Sequence, residues 1–222
     1  MANLIAKPFS DTTPGEAPVH GFVHPAQKER LGFLVLTHGA GGNCKAPLLV
    51  ALAEQFAASG LDTLRCDLPF RQRRPTGPPS PSDAPRDQDG LRRAVSLMKE
   101  RFGGRPFLGG VSYGGRQASM LVAAEPVLVE ALLLLSYPLH PPGRPAQLRT
   151  QHFSALQTPV LFISGTRDAF GTEEELRNAI KLIPARAQLM AIEGAAHGLL
   201  QKSNREQLPG KIVEEFLSFV RQ

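Results

Sequence analysis

Hydrophobic and polar positions along the 222-residue chain fall into two alternating patterns. Short apolar runs come first. Residues 31–37 (LGFLVLT), 61–66 (LDTLRC), 105–111 (RPFLGGV), 131–136 (ALLLLS), 158–164 (TPVLFIS) and 187–192 (AQLMAI) are six or seven residues long and lack strict in–out alternation. Runs of that length and character predict strands covered on both faces. An earlier short strand is predicted at 19–23 (VHGFV). Between these runs lie longer segments with apolar residues three and four apart. They predict helices at 46–59, 87–101, 114–125, 172–183 and 207–221, with a short helix in 146–156. Pro47 suits the first turn of the first helix and Gly60 its end. Segment 67–90 (DLPFRQRRPTGPPSPSDAPRDQDG) shows neither period and reads as a long proline-rich loop, the kind that is often a lid.

Strands alternating with helices predict an α/β fold: a mostly parallel central sheet with helices on both faces. No internal repeat or second boundary is visible, so residues 1–222 are expected to form one domain. In such sheets ligands bind beyond the carboxyl ends of the strands, so chemistry is sought in the segment following each strand.

Composition narrows the possibilities. Only two cysteines occur, Cys44 and Cys66, without CxxC spacing, so neither a disulfide framework nor a zinc site is expected and a reducing, cytoplasmic location fits. The start, MANLIAKPFS, lacks the pattern of a secretory signal, and the longest apolar run, 131–135, is too short to cross a bilayer. No membrane partner is expected. The net charge is +5, but the arginines cluster only in RQRR at 71–74 and no aromatic residues interleave with them, so nucleic acid is not expected as a partner either.

The densest chemical signal is LGGVSYGGR at 108–116, where Gly110-Val111-Ser112-Tyr113-Gly114 fits G-x-S-x-G between a strand and a helix. A serine there can sit on a strained turn that lifts its hydroxyl above the sheet, with the positive end of the following helix aimed at it. Glycines allow strand and helix to pack closely around that turn. The serine needs a base, and the base needs an orienting group. Asp168 follows the strand at 158–164, and His197 sits in the loop EGAAHG after 187–192, in the order Ser, Asp, His. Taken singly, Asp168 could cap a turn and His197 could be an ordinary loop histidine. Asp67 is the fallback carboxylate.

Acyl transfer also needs donors for a developing oxyanion. The loop Thr37-His38-Gly39-Ala40-Gly41-Gly42-Asn43 points to the Ala40 amide, with Gly41 next, and the elbow supplies the amide of Tyr113. The same loop nearly matches G-x-G-x-x-G, a dinucleotide fingerprint, but Cys44 stands at the third glycine position. Neither a GK[ST] phosphate loop nor HExxH occurs. His140 and the arginines Arg71, Arg73, Arg74, Arg116 and Arg144 are candidate substrate contacts, able to favour a carboxylate or phosphate group.

With HGAGG, GVSYG, GTRD and GAAH in order, the chain from about residue 17 resembles an α/β-hydrolase. GGVSYGGR, YPLHPPGRP with the downstream LR, and GTRDAFGT resemble the KANL/Tex-type hydrolase-like branch, near dienelactone hydrolases. The resemblance implies an α/β-hydrolase fold with Ser112 as nucleophile, His197 as base and Asp168 as orienter. Dienelactone hydrolases proper carry cysteine where this chain has serine. About twenty residues separate the strands at 131–136 and 158–164, where larger relatives insert a cap, so a minimal cap and an open site are expected. The resulting expectation is a serine carboxylesterase cleaving small soluble esters, with no metal or organic cofactor. A thioesterase, a peptidase and a non-catalytic interaction protein are the alternatives.

Overall fold

The computed structural model describes residues 6–222; the first five residues, part of the stretch read for a leader, lie outside it. One eight-stranded sheet organises the chain in the order β1-β2-β4-β3-β5-β6-β7-β8. β1 (Lys7–Asp11), β2 (Val19–His24) and β4 (Leu61–Asp67) pair antiparallel in turn. β3 (Gly32–Thr37), β5 (Pro106–Val111), β6 (Ala131–Leu135), β7 (Val160–Gly165) and β8 (Ala187–Ile192) continue the sheet from β4 in parallel. The strand order reverses at β3, so the crevice beyond the ends of β3 and β5 is a topological switch point.

The unbroken apolar runs have a simple cause. Alternate residues of each central strand enter opposite cores. Phe33, Val35, Leu108, Leu132, Leu134, Val160 and Phe162 face one core, beneath α3 (Ala84–Phe102), α4 (Tyr113–Ala124) and α5 (Glu173–Ala179). Leu34, Leu36, Phe107, Leu133, Leu135, Leu161 and Ile163 face the other, under α1 (Pro47–Ala58) and α6 (Leu208–Phe219).

Two expectations change. β1 was not foreseen: in KPFSD only Phe9 is buried, too little pattern to mark an edge strand. Segment 67–90 is not a long loop. It contains α2 (Pro69–Arg73), a single 3-10 turn at Pro81–Asp83 and the first two turns of α3. Each of these helices has proline in its first turn, where the missing N–H does no harm. Prolines that read as loop punctuation are therefore helix starts. Gly90 belongs there because a Cβ would meet the Pro69 ring at 2.6 Å. Only 74–80 is irregular. Between β6 and β7 there is no cap, only a 3-10 turn at Phe153–Ala155.

Candidate active site

Ser112 sits between β5 and α4 with φ 50° and ψ −115°, a backbone conformation that is strained for a residue with a side chain. The surrounding glycines explain how it is tolerated. A Cβ on Gly110 would lie 2.6 Å from the Gly115 nitrogen, and one on Gly114 would lie 2.4 Å from the His38 carbonyl oxygen. Strand, helix and the β3 loop thus touch backbone to backbone. Ser112 N–H donates to the Leu135 carbonyl (2.8 Å), which ties the turn to β6.

Ser112 Oγ–H donates to His197 Nε2 at 2.9 Å. His197 Nδ1–H donates to Asp168, 2.8 Å from Oδ2 and 3.0 Å from Oδ1, and this network sets the tautomer. Asp168 is buried and also accepts the Phe170 amide at 2.9 Å. Gly165 lets the β7 and β8 loops meet: a Cβ there would lie 2.2 Å from the Ala195 carbonyl oxygen. His197 is held at two further points, ring and backbone. Phe170 lies against its ring at a centroid distance of 4.2 Å, and Ser136 Oγ–H donates to the His197 carbonyl at 2.7 Å.

The β3 loop is turned by its own hydrogen bonds. The Gly39 carbonyl accepts from Gly42 N–H (3.0 Å) and His38 Nδ1–H (2.8 Å). In a trans peptide the next N–H points the opposite way, which turns the Ala40 amide away from those bonds. Neither the Ala40 nor the Tyr113 amide donates to another group among the described residues. His38 is buried, which pushes its pKa down, and its Nε2 accepts the Leu68 amide at 3.1 Å. Cys44 N–H is taken by Asp67 Oδ1 (2.6 Å) and Lys45 N–H by Asn43 Oδ1 (2.8 Å), so amides a dinucleotide pyrophosphate would need are already occupied. Asp67 thus serves the β3 loop, and Asp168 is the carboxylate on His197.

Two cavities meet at Ser112. One, of about 530 Å³, is largely apolar and runs past Gly41, Leu48, Leu49, Val111 and Leu200 to Arg205. The other, of about 560 Å³, runs along α4 past Arg116, Gln117 and Met120 to Pro138 and Arg149. Ala40, Ser112 and Phe170 border both.

Of the candidate substrate contacts, Arg116 lines a cavity, whereas Arg71, Arg73, Arg74, His140 and Arg144 line neither. Arg71 is buried and donates to four carbonyls: Gly42 through Nε (2.8 Å), Arg74 through Nη1 (3.0 Å), and Ala40 (2.7 Å) and Gly77 (3.0 Å) through Nη2. It ties the β3 loop to 74–77. His140 is also buried, with Nδ1 bonded to the Pro141 carbonyl and Nε2 3.3 Å from Glu175, while its amide holds the Phe170 carbonyl. Arg73 and Arg74 both reach Asp83, at 2.6 and 2.5 Å. Spacing could not separate these arginines, because each one's role depends on which carbonyl or carboxylate the fold places beside it. Phe170, Ser136 and Arg149 were missed: an aromatic, a serine and an arginine in loops carry no local signal until β6, β7 and β8 are side by side.

A sequence profile described as alpha/beta hydrolase domain matches residues 30–221. The chain belongs to the alpha/beta-hydrolase family. Solved structures of the same fold include dienelactone hydrolase from Anabaena variabilis ATCC 29413 (18% identity, TM-score 0.75, covering 96% of this chain and 98% of that one). Est1E from Butyrivibrio proteoclasticus is similar too (16%, TM-score 0.77, 97% and 100%), as is the Pyrococcus furiosus esterase PF2001 (14%, TM-score 0.76, 98% and 92%). This alpha/beta hydrolase carries no helix among its described residues that is long and apolar enough to cross a membrane.

Proposed function

We propose that this alpha/beta hydrolase is a serine carboxylesterase acting on small esters. Ser112 Oγ attacks the ester carbonyl while His197 Nε2 takes its proton, and Asp168 stabilises the imidazolium. The carbonyl electrons move onto oxygen, where the Ala40 and Tyr113 amides receive the charge. The intermediate collapses, the C–O bond to the alcohol breaks, and the alcohol leaves with the proton from His197. Water then attacks the acyl-serine through the same base and releases the acid.

The observation that carries this reading is the unbroken relay, Ser112 to His197 at 2.9 Å and His197 to Asp168 at 2.8 Å, with Ala40 and Tyr113, whose amides donate to no other group among the described residues, lining the same cavity as Ser112. A non-catalytic scaffold has no need of that alignment or of a strained serine. The two cavities fit a small substrate better than a polypeptide, and with no cap over them a soluble ester can enter from solvent. No cofactor is required. Both thiols are buried, and burial pushes Cys44 up to about 12 and Cys66 higher still, so they stay as thiols in a reducing cytoplasm.

The test is a p-nitrophenyl ester chain-length series, run beside the matching thioesters. Turnover of oxygen esters by the wild type that disappears in Ser112→Ala, together with fluorophosphonate labelling lost in the same variant, is the expected outcome. Folded wild type that neither labels nor turns over would overturn the reading.

A further inference from the structure

The cavity along α4 is positively charged without compensation. Arg116 lies in the first turn of α4, the end of a helix where a cation is least favoured. Its Nε is buried with no acceptor. Arg149 reaches only the Pro138 carbonyl, at 3.3 Å. Neither arginine has a carboxylate within ion-pair distance among the described residues. They are near enough to repel each other: burial first, and then Arg116, lower the pKa of Arg149. The other polar groups around them are bonded elsewhere, and none forms an ion pair with either arginine. Tyr137 donates its hydroxyl to the Arg149 carbonyl at 2.6 Å. His152 is bonded to Ser119 at 2.8 Å and held neutral, at about 4, by burial and by Arg116. Asp87, under Tyr113, has its two oxygens taken by the Phe70 amide and the Tyr113 hydroxyl.

Two adjacent guanidinium groups without a carboxylate are unfavourable in an empty protein and favourable around a bound anion, which can accept several charge-assisted hydrogen bonds at once. We propose that Arg116 and Arg149 form an anion-binding subsite, so that the substrate carries a carboxylate or phosphate on the part lying along α4 and an apolar group in the cavity beside Leu48 and Leu49. This assignment rests on the reading of Ser112 as an ester-cleaving nucleophile. The remaining cation at the site, Arg205, lies in the opposite cavity.

The experiment has a kinetic arm and a binding arm. In the first, the p-nitrophenyl monoester of glutaric acid is compared with p-nitrophenyl valerate. The butyryl esters of 4-hydroxybenzoate and 4-hydroxyphenyl phosphate are compared with that of 4-hydroxybenzamide. At least one anionic member should exceed its neutral counterpart by about tenfold or more in kcat/KM, the scale of one charge-assisted hydrogen bond. The pair that shows it distinguishes carboxylate from phosphate. The anionic-to-neutral ratio should fall by a similar factor in Arg116→Gln and Arg149→Gln, with partial retention in Arg149→Lys. In the second arm, Ser112→Ala protein is titrated calorimetrically with glutarate and with phenyl phosphate. Saturable binding that Arg149→Gln weakens by about tenfold supports the subsite without any turnover. Neutral esters turned over with no anionic preference and no anion binding would overturn the subsite and leave the hydrolase reading intact. Arginine-dependent anion binding with no ester turnover would do the reverse. Circular dichroism checks each variant, and Arg149→Gln serves if Arg116→Gln does not fold.

Discussion

Arg71 gives the sharpest test of how the site is held. Its side chain does not touch either cavity, yet two of its four hydrogen bonds go to the Ala40 and Gly42 carbonyls of the β3 loop. Truncation to alanine frees four acceptors. Those of Arg74 and Gly77 belong to exposed residues and can turn to water. The Ala40 and Gly42 carbonyls lie in partly buried backbone, and each unsatisfied acceptor there costs about 1–3 kcal/mol. Arg71→Ala should therefore lower stability by about 2–6 kcal/mol. The Ala40–Gly41 peptide loses its anchor, and the neighbouring Ala40 amide loses its fixed direction. One oxyanion donor is worth about 3 kcal/mol, which converts to ~150-fold in rate. On a neutral p-nitrophenyl ester, assayed well below the melting transition, kcat should drop by up to that factor while KM changes little. Arg71→Lys has one head group for four carbonyls and should fall in between. A kcat within about threefold of wild type, alongside the expected stability loss, would refute the claim that Arg71 positions the oxyanion loop and leave it only a clamp for 74–77.

Other outcomes can be stated more briefly. Asp168→Asn preserves shape but favours the wrong His197 tautomer, so kcat should fall by ~10⁴-fold with the melting temperature little changed. Gly114→Ala places a Cβ 2.4 Å from the His38 carbonyl oxygen, which is backbone, and 2.6 Å from the Thr37 Cγ2 methyl. It should cost roughly 1–3 kcal/mol, seen as a lower melting temperature, and displace Ser112 enough to reduce fluorophosphonate labelling. Stability should also depend on pH through His24, which is buried, accepts from Arg65 Nε at 2.9 Å, and is pushed down to about 4 by burial and then by that arginine. Between about 4 and its ordinary 6.5 the unfolded chain binds one more proton than the folded chain. His24's contribution is therefore fully present above pH 6.5 and lost as pH falls towards 4, and His24→Gln should flatten denaturant-melt stability over that window. An unchanged slope in the variant would show that other groups set the acid limit.

The sheet's six parallel strands, β3 to β8, and most of the helices between them were legible in the chain, because burial on both faces removes alternation and leaves unbroken apolar runs. Ser112 was legible for a different reason: strand, helix and loop approach so closely there that only glycine fits, and that requirement is written locally as GGVSYGG. Asp168 and His197 could be named by chain order alone. Their contact could not, since it depends on β7 and β8 being neighbours and on Gly165 letting their loops touch. The helices within 67–90 were hidden because a first-turn proline looks the same as a loop proline until its segment is seen to pack. The arginines were the least legible of all. Arg71, Arg73, Arg74 and Arg116 are the same residue in sequence. Tertiary structure gave the first four carbonyls, the next two a shared Asp83 and the last no carboxylate, and a cation's role is set by what the fold places opposite it.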